Sequence, residues 1–62
     1  MWVIQRKGDE VTRFLRSVQA DCGKLILYFH YEQYAFRFPD ENTAFAVLAF
    51  LDCDNIGVTC IE

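Results

Sequence analysis

An α+β fold, a small antiparallel sheet of three to four strands packed on a helix at about residues 40–52, is predicted by three features of the sequence. A helical apolar stripe follows Pro39-Asp40, and runs rich in β-branched and aromatic residues lie before it and after it. Ten aromatics in 62 residues supply the large side chains that so short a chain needs to build a core. That length leaves room for one core, so residues 1–62 are read as a single domain.

The first element is a short strand from Trp2 to Gln5. The segment from Asp9 to Cys22 supports two readings. Val11, Phe14, Leu15 and Val18 fit a helical stripe, with Asp9 as N-cap and Gly23 just past the end, which gives a helix at about 9–21 and the order βαββαβ of a split ferredoxin-like fold. The rival is a strand from Val11 to Val18 that turns through Asp21-Cys22-Gly23 into the next, giving βββαβ. Next, Leu25-Ile26-Leu27-Tyr28-Phe29-His30-Tyr31 is rich in strand formers and apolar on both phases, the pattern of an inner strand. Pro39 stops the strand-like run, Asp40 is a good N-cap with Glu41 in the first turn, and Ala44, Val47, Leu48 and Leu51 recur at helical spacing. Ala46 and Phe50 fall nearly opposite that stripe, so the helix is apolar almost all round and wants cover on both sides. Asp52-Cys53-Asp54-Asn55 breaks it, and Ile56 to Ile61 alternates as a closing strand.

Chemistry is poorly represented. One His and one Ser, with no glycine-rich loop, offer few combinations for acid-base or nucleophilic work. His30 sits within the strand run and reads as a sheet histidine. Cys22, Cys53 and Cys60 are odd in number and scattered, which fits reduced thiols acting as small buried hydrophobes; together with His30 they offer four zinc-type ligands but no closely spaced pair of cysteines. Gly8, Gly23 and Gly57 are isolated, so no phosphate cradle forms. No enzymatic activity, cofactor or metal is expected. The longest apolar run, Ala44 to Leu51, is far shorter than a membrane span, and a cytoplasmic protein without membrane contact is expected.

Charge is distributed unevenly. Residues 1–24 carry net +2 and residues 25–62 carry net −5, within a total of −3. An acidic surface repels nucleic-acid phosphates and attracts the basic grooves that bind them, so direct nucleic-acid binding is not expected. Asp40, Glu41, Asp52 and Asp54, at the two ends of the helix, together with Phe50 are the candidate partner-binding residues. Phe50 suits either a foreign partner or a second copy in a homodimer.

The spacing of Trp2-Val3-Ile4, Phe14-Leu15, Leu25 and Ala35-Phe36-Arg37-Phe38, with Ala44 six residues later, resembles small phage-borne proteins in which a strand meander precedes one helix. That likeness favours βββαβ over βαββαβ. In size, acidity and style the chain resembles anti-CRISPR inhibitors, which implies a non-enzymatic phage or mobile-element protein that binds a host nucleic-acid-handling complex. The implied partner is a CRISPR effector subunit whose DNA-binding surface is occluded. Tyr34-Ala35-Phe36 resembles the aromatic-small-aromatic centre of RNA-recognition domains, which keeps a small RNA- or single-strand-binding module as the alternative; a regulatory homodimer is a further one.

Overall fold

The computed structural model describes residues 1–8, 10–51 and 53–61. Strands β1 (Trp2–Lys7), β2 (Thr12–Asp21) and β3 (Lys24–His30) follow one another, a 3₁₀ turn spans Glu32–Tyr34, helix α1 covers Glu41–Phe50, and β4 (Ile56–Cys60) closes the chain. The four strands form one antiparallel sheet in the order β3-β2-β1-β4. An α+β architecture with a helix on an antiparallel sheet is what the molecule has.

Two turns determine how the first three strands lie. Between β1 and β2 the Gly8 N–H donates to the Val11 carbonyl at 3.0 Å, and a Cβ on Gly8 would sit 2.7 Å from that same oxygen. Only glycine lets the backbone approach so closely. Between β2 and β3, Asp21 pairs with Lys24 across Cys22 and Gly23, whose φ angles of 51° and 78° are both left-handed. Positive φ at both central positions is the twist that a two-residue hairpin turn requires. The alternative helix at about 9–21 does not form, and the segment is a strand as in the favoured order βββαβ: Val11-x-x-Phe14-Leu15-x-x-Val18 has helical spacing, but Thr12–Asp21 is a strand held on both sides. Pairing with β1 and β3 outweighs the local periodicity. Asp9, the N-cap of that reading, lies outside the described residues.

One expectation about β3 fails. The run from Leu25 to Tyr31 is apolar on both phases, yet β3 is an edge strand, and Leu25, Ile26 and Tyr28 are exposed. The inner strands are β1 and β2. Consecutive tight hairpins carry β3 outward, and the crossover through α1 delivers β4 to the free side of β1.

The core lies on both faces of β1. Toward the helix, Ile4, Leu15, Phe38, Ala44 and Leu51 form one buried cluster; on the other face Val3 and Phe14 pack under Ala35, with Ile61 beside them. Val3 and Ile4 are both fully buried, at 0% exposure, which places β1 at the centre of the molecule. Past Phe14 the β2 register shifts between Leu15 and Ser17, a bulge that opens the sheet. The chain after the 3₁₀ turn fills the opening: the Phe36 N–H donates to the Leu15 carbonyl at 2.9 Å, and Phe38 exchanges two backbone hydrogen bonds with Trp2, at 2.7 and 3.1 Å.

Helix α1 begins at a well-formed cap. Asp40 is extended (φ −141°, ψ 160°), and its Oδ1 accepts from the Thr43 N–H at 2.7 Å and from the Thr43 hydroxyl at 2.9 Å. These satisfy one of the free amides of the first turn and fix the side chain that does so. The helix ends at Leu51, whose N–H reaches the Val47 and Leu48 carbonyls. Ala44 and Leu51 are buried and Val47 and Leu48 half-buried, so the apolar stripe is the face laid on the sheet.

Candidate docking surface

α1 rests on β1 and β4, leaving the helix-side face of β2 and β3 incompletely covered. The uncovered strip forms a two-part cleft. One part, about 350 Å³, is bounded by Leu15, Val18, Phe36, Phe38 and Val47; the other, about 410 Å³, by Leu25, Leu27, Phe50 and Leu51. Val18 and Leu27 are cross-strand neighbours, so the two parts share one apolar floor. Arg16 and Lys24 stand at its ends on the hairpin side.

Phe50 is 75% exposed on the last turn of α1, on the rim of this cleft. Phe45, also exposed, lies one helical turn and a residue before it. Among the described residues nothing tucks over Phe50. The ordinary fate of a large aromatic in a small domain is burial, and one left so open beside an apolar cleft is the form an interface anchor takes.

The acidic candidates are dispersed. Asp40 is the helix cap, and the two hydrogen bonds from Thr43 hold its carboxyl below its usual value of 3.8 by stabilising the ionised form. Glu41 is exposed in the first turn, and Asp54 is exposed in the turn before β4. The ten-residue helix sets Glu41 and Phe50 about 13.5 Å apart along its axis. Asp52 lies outside the described residues. Asp40 thus has a structural task that accounts for its identity, whereas the carboxylates of Glu41 and Asp54 have no hydrogen-bond or ion-pair partner among the described residues, the one bond at Asp54 being its carbonyl accepting from the Cys53 thiol.

A second group gathers where β3 leaves the sheet. Arg13 lies 4.8 Å from the centre of the Tyr31 ring and Arg16 lies 5.5 Å from that of Tyr34. His30 meets both tyrosines edge-on, at 5.1 and 4.5 Å, and its Nδ1 accepts the Tyr31 N–H at 2.9 Å. Two cation–π contacts, one from each arginine to a tyrosine, and two edge-on ring contacts through His30 join the five side chains in a row. Sequence reasoning did not single the group out. Its signal is the equal spacing of Arg13-x-x-Arg16 and Tyr31-x-x-Tyr34, which acquires meaning only once Phe14 is known to pair with His30. His30 is half-buried at the end of an edge strand and hydrogen-bonded to its own neighbour.

Two further expectations are corrected. The cysteines are not buried hydrophobes: Cys22 and Cys60 are exposed and Cys53 is half-buried, all as free thiols. Cys22 occupies a turn and Cys60 the end of an edge strand, places where the backbone conformation rather than packing decides exposure. Tyr34-Ala35-Phe36 is not the centre of a strand; it spans the end of the 3₁₀ turn and the loop after it, with Ala35 buried and the two aromatics exposed. A base-stacking sheet of the RNA-recognition type is therefore not formed by these residues. Among the described residues no group of three or more His, Cys, Asp or Glu side chains is placed to hold a metal ion, and no helix is long and apolar enough to cross a membrane.

No known protein family, no curated protein and no solved structure matches this chain.

Proposed function

We propose that the chain is a non-enzymatic binding protein that docks on a host nucleic-acid-handling complex and occludes its DNA-binding surface, in the manner of phage-borne anti-CRISPR inhibitors. The observation that carries this reading is Phe50, 75% exposed on the rim of an apolar cleft. A central aromatic anchor with a polar surround is how small proteins concentrate binding free energy in a limited area. Glu41, at the opposite end of the helix from the anchor, and Asp54, in the turn before β4, add exposed negative charge suited to a surface rich in Lys and Arg. Cytoplasmic action and a CRISPR effector subunit as target follow from the same proposal.

The test is affinity capture from a host lysate treated with nuclease, using the parent and Phe50→Asp in parallel. The parent should retain one discrete protein complex, and Phe50→Asp should lose it while melting close to the parent. If Phe50→Asp instead melts far lower, Phe50 contributes to the core and the anchor reading is wrong.

The alternation of Arg13, Tyr31, His30, Tyr34 and Arg16 favours a second reading, single-stranded nucleic acid bound on tyrosine faces beside guanidinium groups. Micromolar retention of single-stranded RNA that falls steeply with salt, and is lost in a Tyr31→Ala, Tyr34→Ala variant, would establish this second reading in place of the first.

A further inference from the structure

β3 leaves one long side of the sheet unpaired. Among the described residues its seven residues, Lys24–His30, pair with β2 alone. In a two-residue hairpin the closing pair, here Asp21 with Lys24, exchanges both backbone hydrogen bonds, and the alternation from that pair turns the N–H and C=O of Leu25, Leu27 and Phe29 outward. Open edges of this kind are usually blunted by proline, a bulge, an inward charge or short length. β3 has none of these: the register irregularity lies on β2, and Lys24, at one end, is the sole formally charged residue of the strand at neutral pH. The opposite edge, β4, has five residues and contains Gly57, which weakens it as a template.

The geometry points to a second copy of this chain as the occupant of that edge. β3 pairs antiparallel with β3 of the second copy about a two-fold axis at Leu27, joining two four-stranded sheets into one continuous sheet. The register follows from the outward groups. Centring the axis on Leu27 sets Leu27 opposite Leu27 and Leu25 opposite Phe29 of the second copy, so that every outward N–H and C=O of the strand is paired. Moving the axis by one residue to Ile26 sends Phe29 against the turn at Gly23 and loses its bonds.

Side chains fit the same register. Ile26 faces Tyr28 and Leu25 faces Phe29, aliphatic against aromatic, while Lys24 faces His30, so no two like formal charges meet at neutral pH. Charge complementarity therefore permits self-pairing and gives a charged foreign strand no ion pair along the middle of the edge. Leu25 and Phe29 share the helix-side face, and the pairing lays Phe29 of the second copy beside Leu25, a side chain that the single chain leaves exposed in the cleft.

Light scattering on the full chain over a dilution series, with residue-resolved amide exchange, tests this. The parent should reach twice its 7.3 kDa mass, with slow exchange at the Leu25, Leu27 and Phe29 amides. Ile26→Lys with Tyr28→Lys alters two exposed side chains and sets Lys against Lys at both cross-pairs; the mass should halve and the three amides should exchange fast. Ile26→Glu with Tyr28→Lys sets carboxylate against ammonium in this register alone and should restore the dimer. A parent monomeric throughout the series, or a dimer whose three outward amides exchange fast, would overturn the proposal and leave the edge open to the strand of another protein. That readout needs no variant to fold.

Discussion

Asp40 and Gly8 show how much of this fold rests on single backbone requirements. The Asp40 carboxylate accepts the Thr43 N–H and hydroxyl, and its pKa is lowered as a result. The cap is at full strength above the ordinary value of 3.8 and is lost as pH falls through the lowered one, because protonation removes the charged acceptor. Asp40→Asn keeps an acceptor oxygen but no titration. Thermal melts from about pH 6 down to about pH 2 should therefore show a flatter acid limb for Asp40→Asn than for the parent. At the second hairpin, Cys22 holds a φ of 51° that few side chains adopt readily. Cys22→Asn, which supplies the preferred Asn-Gly turn, should raise stability by about 0.5 kcal/mol, and Gly23→Ala should lower it by about 1 kcal/mol, both read from denaturant midpoints. Gly8→Ala should destabilise as well, since its Cβ would meet backbone rather than a movable side chain.

Among the elements, α1 is the one whose two faces separate stability from binding. Its stripe from Ala44 to Leu51 sits on Ile4 and Leu15, whereas Phe45 and Phe50 face solvent. Ile4→Ala should cost about 2–5 kcal/mol, comparable to the roughly 3–9 kcal/mol available to a chain of this size, and should leave it largely unfolded by circular dichroism. Phe50→Asp should move the melting temperature little. The helix was legible because Pro39-Asp40 marks its start and the stripe has one period; β4 was legible because Ile56, Val58 and Cys60 alternate with smaller or polar residues. β2 was not, since Val11, Phe14, Leu15 and Val18 fit two periods and only pairing with β1 and β3 decides between them. The edge position of β3 was hidden for a related reason. Apolarity on both phases says that a strand wants cover, not that its own chain provides it. Of the site, Phe50 could be placed outside the core stripe from helical spacing, while the cleft beside it depends on where the hairpin lies relative to α1.

At the scale of the molecule, the net charge of −3 joins two unlike regions: basic groups resting on tyrosines near the end of β3, and the exposed carboxylates of Glu41, in the first turn of the helix, and Asp54, in the turn before β4. Glu41→Lys with Asp54→Lys avoids the cap residue, and because Lys in the first turn opposes the helix dipole by about 0.3–1 kcal/mol, thermal melts accompany the binding measurement. Against the captured complex this pair should slow association several-fold and make the remaining binding less sensitive to salt, with dissociation little changed, because rim charges act mainly through steering. Stopped-flow or biosensor traces at two ionic strengths would show it. Occlusion itself is tested most directly by a gel-shift titration of the captured complex on its DNA, with the chain added in increasing amounts. The parent should release DNA in proportion to its own binding, and Phe50→Asp should not. DNA that stays bound to a complex saturated with the chain, or a chain that shifts the DNA by itself, would contradict the proposed inhibition.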